Sequence, residues 1–240
     1  MRKITVSLLT AAAIFCTVPF AFAKEKEPEG VQTVHYVALG DSIAAGYTPY
    51  GTVDLSYADF VKEHLERYQN QAVEYHNFAV TGYTSEQLKN DILHNEMIRQ
   101  EIKESTIVTI DIGANDMFRK LLTDPSKAYE GIAAASVNLQ TILSTIDGLN
   151  PNVDVYVMGY YNPFAYYPEQ VQAFLVPLND SLNSEIESRT QANGDTYVPT
   201  GNRIDKHYQK YMPNPEDNHL NVEGYKVIAQ EFWKAMNKNR

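Results

Sequence analysis

Ser42 stands in the turn Gly40-Asp41-Ser42, which follows Val34 to Leu39, a run of β-branched and apolar residues that reads as a buried strand. Open α/β sheets bind ligands outside the carboxyl ends of their strands, so a hydroxyl here sits where chemistry is done. Serine is a weak nucleophile and needs a base beside it. Of the six histidines, His219 alone lies in a polar loop, Asn214 to Asn221, with two carboxylates, Glu216 and Asp217, within three positions. An imidazole oriented by a carboxylate is the base that serine requires. Asn115, in Gly113-Ala114-Asn115-Asp116, could present a side-chain N–H to a developing oxyanion. Gly82 precedes Thr84 and Gln87, a capping box at a helix start, where free backbone N–H groups face outward. Each of these has a plainer reading, because Gly, Asp, Asn and Ser all favour turns. Asp41, Asp111 and Asp116 also leave open a Mg²⁺ site of carboxylates at adjacent strand ends. A ligand-binding protein that performs no reaction could use the same loops.

The elements that must position these residues alternate. Tyr57, Phe60, Val61, Leu65 and Tyr68 recur at helical spacing with charged residues between them. Ala72 to Asn77 reads as a short strand, and a helix follows through Leu88, Ile92 and Leu93. Thr106 to Ile112 is nearly continuous in apolar and β-branched residues, as a central parallel strand should be. The stretch from Asn115 to Asp124 leaves room for a mobile flap. Asp124-Pro125 opens a long helix with the stripe Ile132, Ser136, Leu139, Leu143 and Ile146, which Gly148 is expected to stop. Val153 to Met158 is a fourth strand, and Thr196-Tyr197-Val198 a fifth. Between them, Tyr160, Tyr161, Phe164, Tyr166 and Tyr167 form an aromatic cluster that serves either as core or as the wall of an apolar or sugar-binding cleft. A helix from Pro168 carries Val171, Phe174, Leu175, Leu178, Leu182 and Ile186, with a kink expected at Pro177. Val227, Ile228, Phe232 and Met236 mark a final helix.

The 240 residues carry 20 basic and 30 acidic side chains, a net charge of −10. Such a chain does not favour phosphate backbones or anionic membrane surfaces, so nucleic acid is not an expected partner. Met1-Arg2-Lys3, an apolar run from Ile4 to Phe20 and Ala21-Phe22-Ala23 describe a secretory signal peptide with cleavage after Ala23. That cleavage removes two basic residues and no acidic one. Cys16, the single cysteine, lies within this segment, and Phe15 before it argues against lipid attachment. The expected mature protein therefore has neither a disulfide nor a stable membrane anchor. Residues 24–30 read as a charged linker and 31–240 as one domain.

Taken in order, Gly40-Asp41-Ser42, Gly82 within Asn-x-x-x-x-Gly, Gly113-x-Asn115-Asp116 and a carboxylate just before His219 resemble the four blocks of the SGNH, or GDSL, hydrolases. The resemblance implies a three-layer α/β/α, flavodoxin-like fold with a central parallel sheet of about five strands. It also implies hydrolysis of small-molecule, lipid or acylated-sugar esters with no metal and no cofactor. By the same resemblance, Ser42 is the nucleophile and His219 the base. The backbone N–H groups of Ser42 and Gly82 and the Asn115 side chain form the oxyanion hole. The family spaces its acid as Asp-x-x-His, whereas Glu216 stands three positions before His219 and Asp217 two. Asp217 is narrowly favoured, on the supposition of a loop one residue shorter. Leu220 occupies a position where the family often has proline. There is no Gly-x-Ser-x-Gly elbow, which disfavours the ordinary α/β-hydrolase assignment.

Overall fold

The β-branched runs seen in the sequence become the strands of one sheet. A computed structural model of the chain describes residues 33–69 and 72–238. The expected signal peptide, 1–23, and linker, 24–30, lie outside these residues. The strands are β1 (Thr33–Gly40), β2 (Ala72–Asn77), β3 (Ile107–Asp111), β4 (Asp154–Gly159) and β5 (Thr196–Pro199). They pair in the order β2-β1-β3-β4-β5, every pair parallel. All five residues of β3 are buried, as a strand covered on both faces requires. The chain first moves outward from β1 to β2, then crosses back to β3. That reversal leaves a crevice at the carboxyl ends of β1 and β3, the place where such sheets hold ligands.

Nine helices are described: α1 (Tyr57–Gln69), α2 (Ser85–His94), α3 (Glu96–Glu104), α4 (Ala114–Thr123), α5 (Ala128–Leu149), α6 (Glu169–Asn193), α7 (Gly201–Ile204), α8 (Tyr208–Tyr211) and α9 (Val222–Lys238). α1 packs on α9, whereas α5 packs against α2, α4 and α6. The sheet lies between these helical layers, a three-layer α/β/α fold. The expected stripes are buried except at the start of α6, where Val171 and Phe174 are exposed and the buried face begins at Leu175. Tyr57, Phe60, Val61 and Leu65 of α1 are in the core, and Tyr57 stacks on Phe232 of α9 with ring centroids 4.7 Å apart. Each such ring or branched side chain removed from water contributes about 1.5–3 kcal/mol. No described helix is long and apolar enough to cross a membrane.

Three local expectations are corrected, and one helix was not foreseen. The stretch after Asn115 is the helix α4 rather than a free flap; its first turn follows Gly113, which has φ +116°. Asp124-Pro125 opens a 3₁₀ turn, Pro125–Lys127, before α5 begins. Gly148 lies inside the last turn of α5, which ends at Leu149. One glycine costs only about 1 kcal/mol in a helix, and the packed stripe overrides it. α3 was not expected; Asn95 caps it, accepting from the backbone N–H groups of Met97 and Ile98. Pro177 lies inside the continuous α6.

Candidate active site

β1 ends at Gly40, whose φ is +151°. A Cβ there would lie 2.5 Å from the Asp111 carbonyl oxygen, so only glycine lets β1 run this close to β3. Beyond it the chain closes one helical turn: Ala45 N–H donates to the Asp41 carbonyl at 3.1 Å, and Tyr47 N–H to the Ser42 carbonyl at 2.9 Å. The underside of this turn is held by carboxyl groups. Asp111 Oδ2 accepts from the backbone N–H groups of Asp41 (3.2 Å) and Ala44 (3.3 Å), and Asp111 Oδ1 accepts from the Tyr57 hydroxyl at 2.7 Å. Asp41 Oδ1 accepts from Ile43 N–H at 3.1 Å and Asp41 Oδ2 from the Tyr160 hydroxyl at 2.8 Å. Both carboxyls are buried. Burial pushes Asp111 well above the usual carboxylate range, and the neighbouring charge of Asp41 adds to it; burial also raises Asp41.

Ser42 thus stands on a rigid turn at the sheet's reversal point. Its Oγ lies 2.8 Å from His219 Nε2, and His219 Nδ1 lies 2.8 Å from Asp217 Oδ1. The same Asp217 oxygen accepts the His219 backbone N–H at 2.8 Å. This is a local turn in which an aspartate side chain bonds the amide two residues on. It folds the loop back on itself, and a spacing of two then suffices for the carboxylate to reach the ring. Glu216 makes no contact with the ring among the described hydrogen bonds; its own N–H donates to the Asn214 side chain. The edge of Tyr47 packs on His219, with centroids 4.8 Å apart, and Tyr225 donates its hydroxyl to the Tyr47 carbonyl.

Beside Ser42, Val80 N–H donates to the Gly40 carbonyl at 3.1 Å and so brings the Gly82 loop alongside β1. Gly82 has φ +82° and open space where a Cβ would be, and its carbonyl accepts from Arg119 at 2.9 Å. Asn115, in the first turn of α4, donates one Nδ2–H to the Tyr83 carbonyl at 2.9 Å. An amide has two such hydrogens, so the second remains available. Asp116 accepts from the Ser85 N–H and hydroxyl at 2.8 and 2.7 Å, tying α4 to the start of α2. Asp41, Asp111 and Asp116 thus hold protein donors, and among the described residues no group of three ligating side chains forms a metal site.

Ser42, Asn115, Asp217 and His219 line one cleft of about 420 Å³, whereas Gly82 is not among its lining residues. Tyr160, Tyr161, Phe164, Tyr166 and Tyr167 line the same cleft, so the aromatic cluster forms part of its wall. Tyr47 against the His219 ring, and Phe118 and Asn179 in the cleft lining, belong to no sequence motif named above. The last is a polar residue one turn on from Leu175 in a buried stripe, and that interruption was the available signal.

Solved structures of known proteins share this architecture. The lipase Lip_vut3 from a goat rumen metagenome is 20% identical, covering 85% of this chain and 97% of its own, with a TM-score of 0.69. A protein from Parabacteroides merdae described as a GDSL-like lipase is 16% identical over 86% of this chain and 95% of its own, with a TM-score of 0.68. Axe2, an acetylxylan esterase from Geobacillus stearothermophilus, is 17% identical over 85% and 94%, with a TM-score of 0.64. At these identities the likeness is one of fold. No curated protein matches the sequence significantly. The sequence itself is matched from residue 38 to residue 227 by the model of one family, a span that runs from β1 through the His219 loop into α9, and on that match the chain belongs to the GDSL-like lipase/acylhydrolase family of ester hydrolases.

Proposed function

We propose that this chain is a serine esterase that cleaves carboxylic acyl esters through an acyl-enzyme, with Ser42, His219 and Asp217 as its triad. The observation that carries this reading is the continuous contact from Ser42 Oγ to His219 Nε2 and from His219 Nδ1 to Asp217, 2.8 Å at each step. With Nδ1–H donated to Asp217, Nε2 is left to accept the Ser42 proton. Ser42 Oγ attacks the acyl carbonyl as His219 takes that proton, and the oxyanion is met by the N–H groups of Ser42 and Gly82 and the free Asn115 N–H. His219 then protonates the departing alcohol. In the second half, His219 takes a proton from water as the water oxygen attacks the acyl carbonyl, and it returns that proton to Ser42 Oγ as the acyl–Oγ bond breaks and the acid departs. Residues 1–23 would direct export of the protein and be removed after Ala23.

The test is release of p-nitrophenol from acetyl and butyryl esters by the purified protein, with Ser42→Ala and a chelator in parallel. Turnover should fall at least about a thousandfold in Ser42→Ala and hold in the chelator. A folded Ser42→Ala protein with near-normal turnover would overturn the reading.

A further inference from the structure

α6 presents two asparagines, Asn179 and Asn183, one turn apart on the face turned to the carboxyl end of β4. Asn183 is engaged at both ends: its Oδ1 accepts from Tyr160 N–H at 2.7 Å and its Nδ2 donates to the Tyr160 carbonyl at 2.8 Å. Asn179 is only 4% exposed and lines the cleft, yet its carboxamide has no hydrogen-bond partner among the described residues. Neither of its polar atoms is among those sealed from solvent without a partner, so the carboxamide opens into the cleft itself. Water can reach this carboxamide while the cleft is open, so a substrate arm that fills the cleft must replace those hydrogen bonds or lose affinity.

The surroundings narrow what that group is. Three tyrosine hydroxyls on this wall are spent on the protein: Tyr160 on Asp41, Tyr161 on the Asn218 carbonyl and Tyr166 on the Met212 carbonyl, each at 2.8 Å. These rings, with Phe118 and Phe164, offer apolar faces to whatever lies along them. A substrate arm on this wall therefore meets flat carbon surfaces, the exposed Tyr167 hydroxyl at the rim and one deep carboxamide. Flat faces suit a hydroxylated carbon chain or ring that stacks on them and turns its polar groups to one side. A carboxamide both donates and accepts, and the group that reciprocates with one atom is a hydroxyl.

We propose that Asn179 is a specificity-determining residue that hydrogen-bonds a hydroxyl on the substrate arm lying along the aromatic wall, which makes hydroxylated esters the preferred substrate class. The proposal rests on the esterase reading above. The hydroxyl can belong to the acyl arm or to the alcohol arm, and two matched pairs separate these sources: p-nitrophenyl butyrate against p-nitrophenyl 3-hydroxybutyrate, and propyl acetate against glycerol 1-monoacetate. Each is assayed with wild type, Asn179→Leu, Asn179→Ala and Ser42→Ala. The wild type should favour the hydroxylated member of one pair, and Asn179→Leu should cut that preference, as a ratio of kcat/KM values, by about tenfold. The pair affected identifies the arm. A purely structural role would lower both members together and leave the ratio fixed. Ratios unchanged in both pairs, with hydrolysis still dependent on Ser42, would overturn the assignment of Asn179 alone. Hydrolysis absent from the wild type, or surviving in Ser42→Ala, would overturn the esterase reading and this proposal with it. Should Asn179→Leu fail to fold, as seen by loss of its melting transition, Asn179→Ala supplies the same ratio.

Discussion

The two walls of the cleft are built by different forces. On the Ser42 side, polar groups are locked to named partners: the nucleophile turn hangs on Asp111 and Asp41, and His219 is held between Ser42 and Asp217. Along the aromatic wall, rings pack on one another, Phe118 against Phe164 at 5.7 Å and Phe164 against Tyr167 at 6.0 Å. Hydrogen bonds fix direction to within a few tenths of an ångström, which proton transfer needs, whereas dispersion contacts tolerate changes of shape. In the proposed mechanism this contrast divides the work: the polar wall sets whether reaction occurs and the aromatic wall sets what enters.

The sharpest way to break this contrast is at the acid. Asp217→Asn leaves the loop's size intact but removes the charge that stabilises imidazolium, so kcat should fall by roughly 10³–10⁴, while Glu216→Gln should leave it within about threefold. If Glu216→Gln showed the larger loss, the roles would be reversed. Asn115→Ala removes one oxyanion donor and should cost about 2.7–4 kcal/mol of transition-state stabilisation, a fall of roughly 10²–10³ in kcat with the melting temperature little changed. Near-normal turnover in that variant would remove Asn115 from the oxyanion hole.

A smaller effect separates the support from the chemistry. Burial holds the folded pKa of Asp111 above its unfolded value of about 3.9, so above that pH the native state binds more protons than the unfolded one. The stability that neutral Asp111 contributes is therefore full below about pH 4 and is lost as pH rises through its folded value. Asp111→Asn cannot titrate, so its deficit in melting temperature against wild type should be largest near pH 4–5 and shrink toward pH 8. A deficit independent of pH would show that Asp111 does not titrate differently on folding. The smallest change lies on the aromatic side. Tyr161→Phe removes only the bond to the Asn218 carbonyl and should cost about 1 kcal/mol in unfolding free energy, with kcat changed by a few-fold at most. A thousandfold loss of kcat there would mean that the aromatic wall positions His219 as strictly as the polar wall does.

Much of this was legible in the residues. The five strands and the helices α1, α2, α5, α6 and α9 follow from local patterns, because β-branched runs and apolar periodicity act within a few residues. α3 and α4 escaped notice because their apolar faces are narrow, with Ile98 and Ile102 buried in one and Met117 in the other. The Thr84–Gln87 box was readable for the same local reason, and Gln87 Oε1 accepts the Thr84 N–H at 3.1 Å.

What the chain by itself determined is the kind of fold and the polar turns on which the proposed site rests: those of Ser42, Asn115 and His219, each beside a strongly patterned element. The tertiary structure decided the rest. It chose Asp217 over Glu216 as the ring's neighbour, turned the Tyr160 to Tyr167 cluster into a wall, and committed Asp41 and Asp111 to the underside of the nucleophile turn. It also left Asn179 alone while giving Asn183 a partner. Each of these depends on which residues far apart in the chain become neighbours, and on which way a side chain then points. Those are settled by the packing of the whole sheet and its helices, and no short window of sequence contains them.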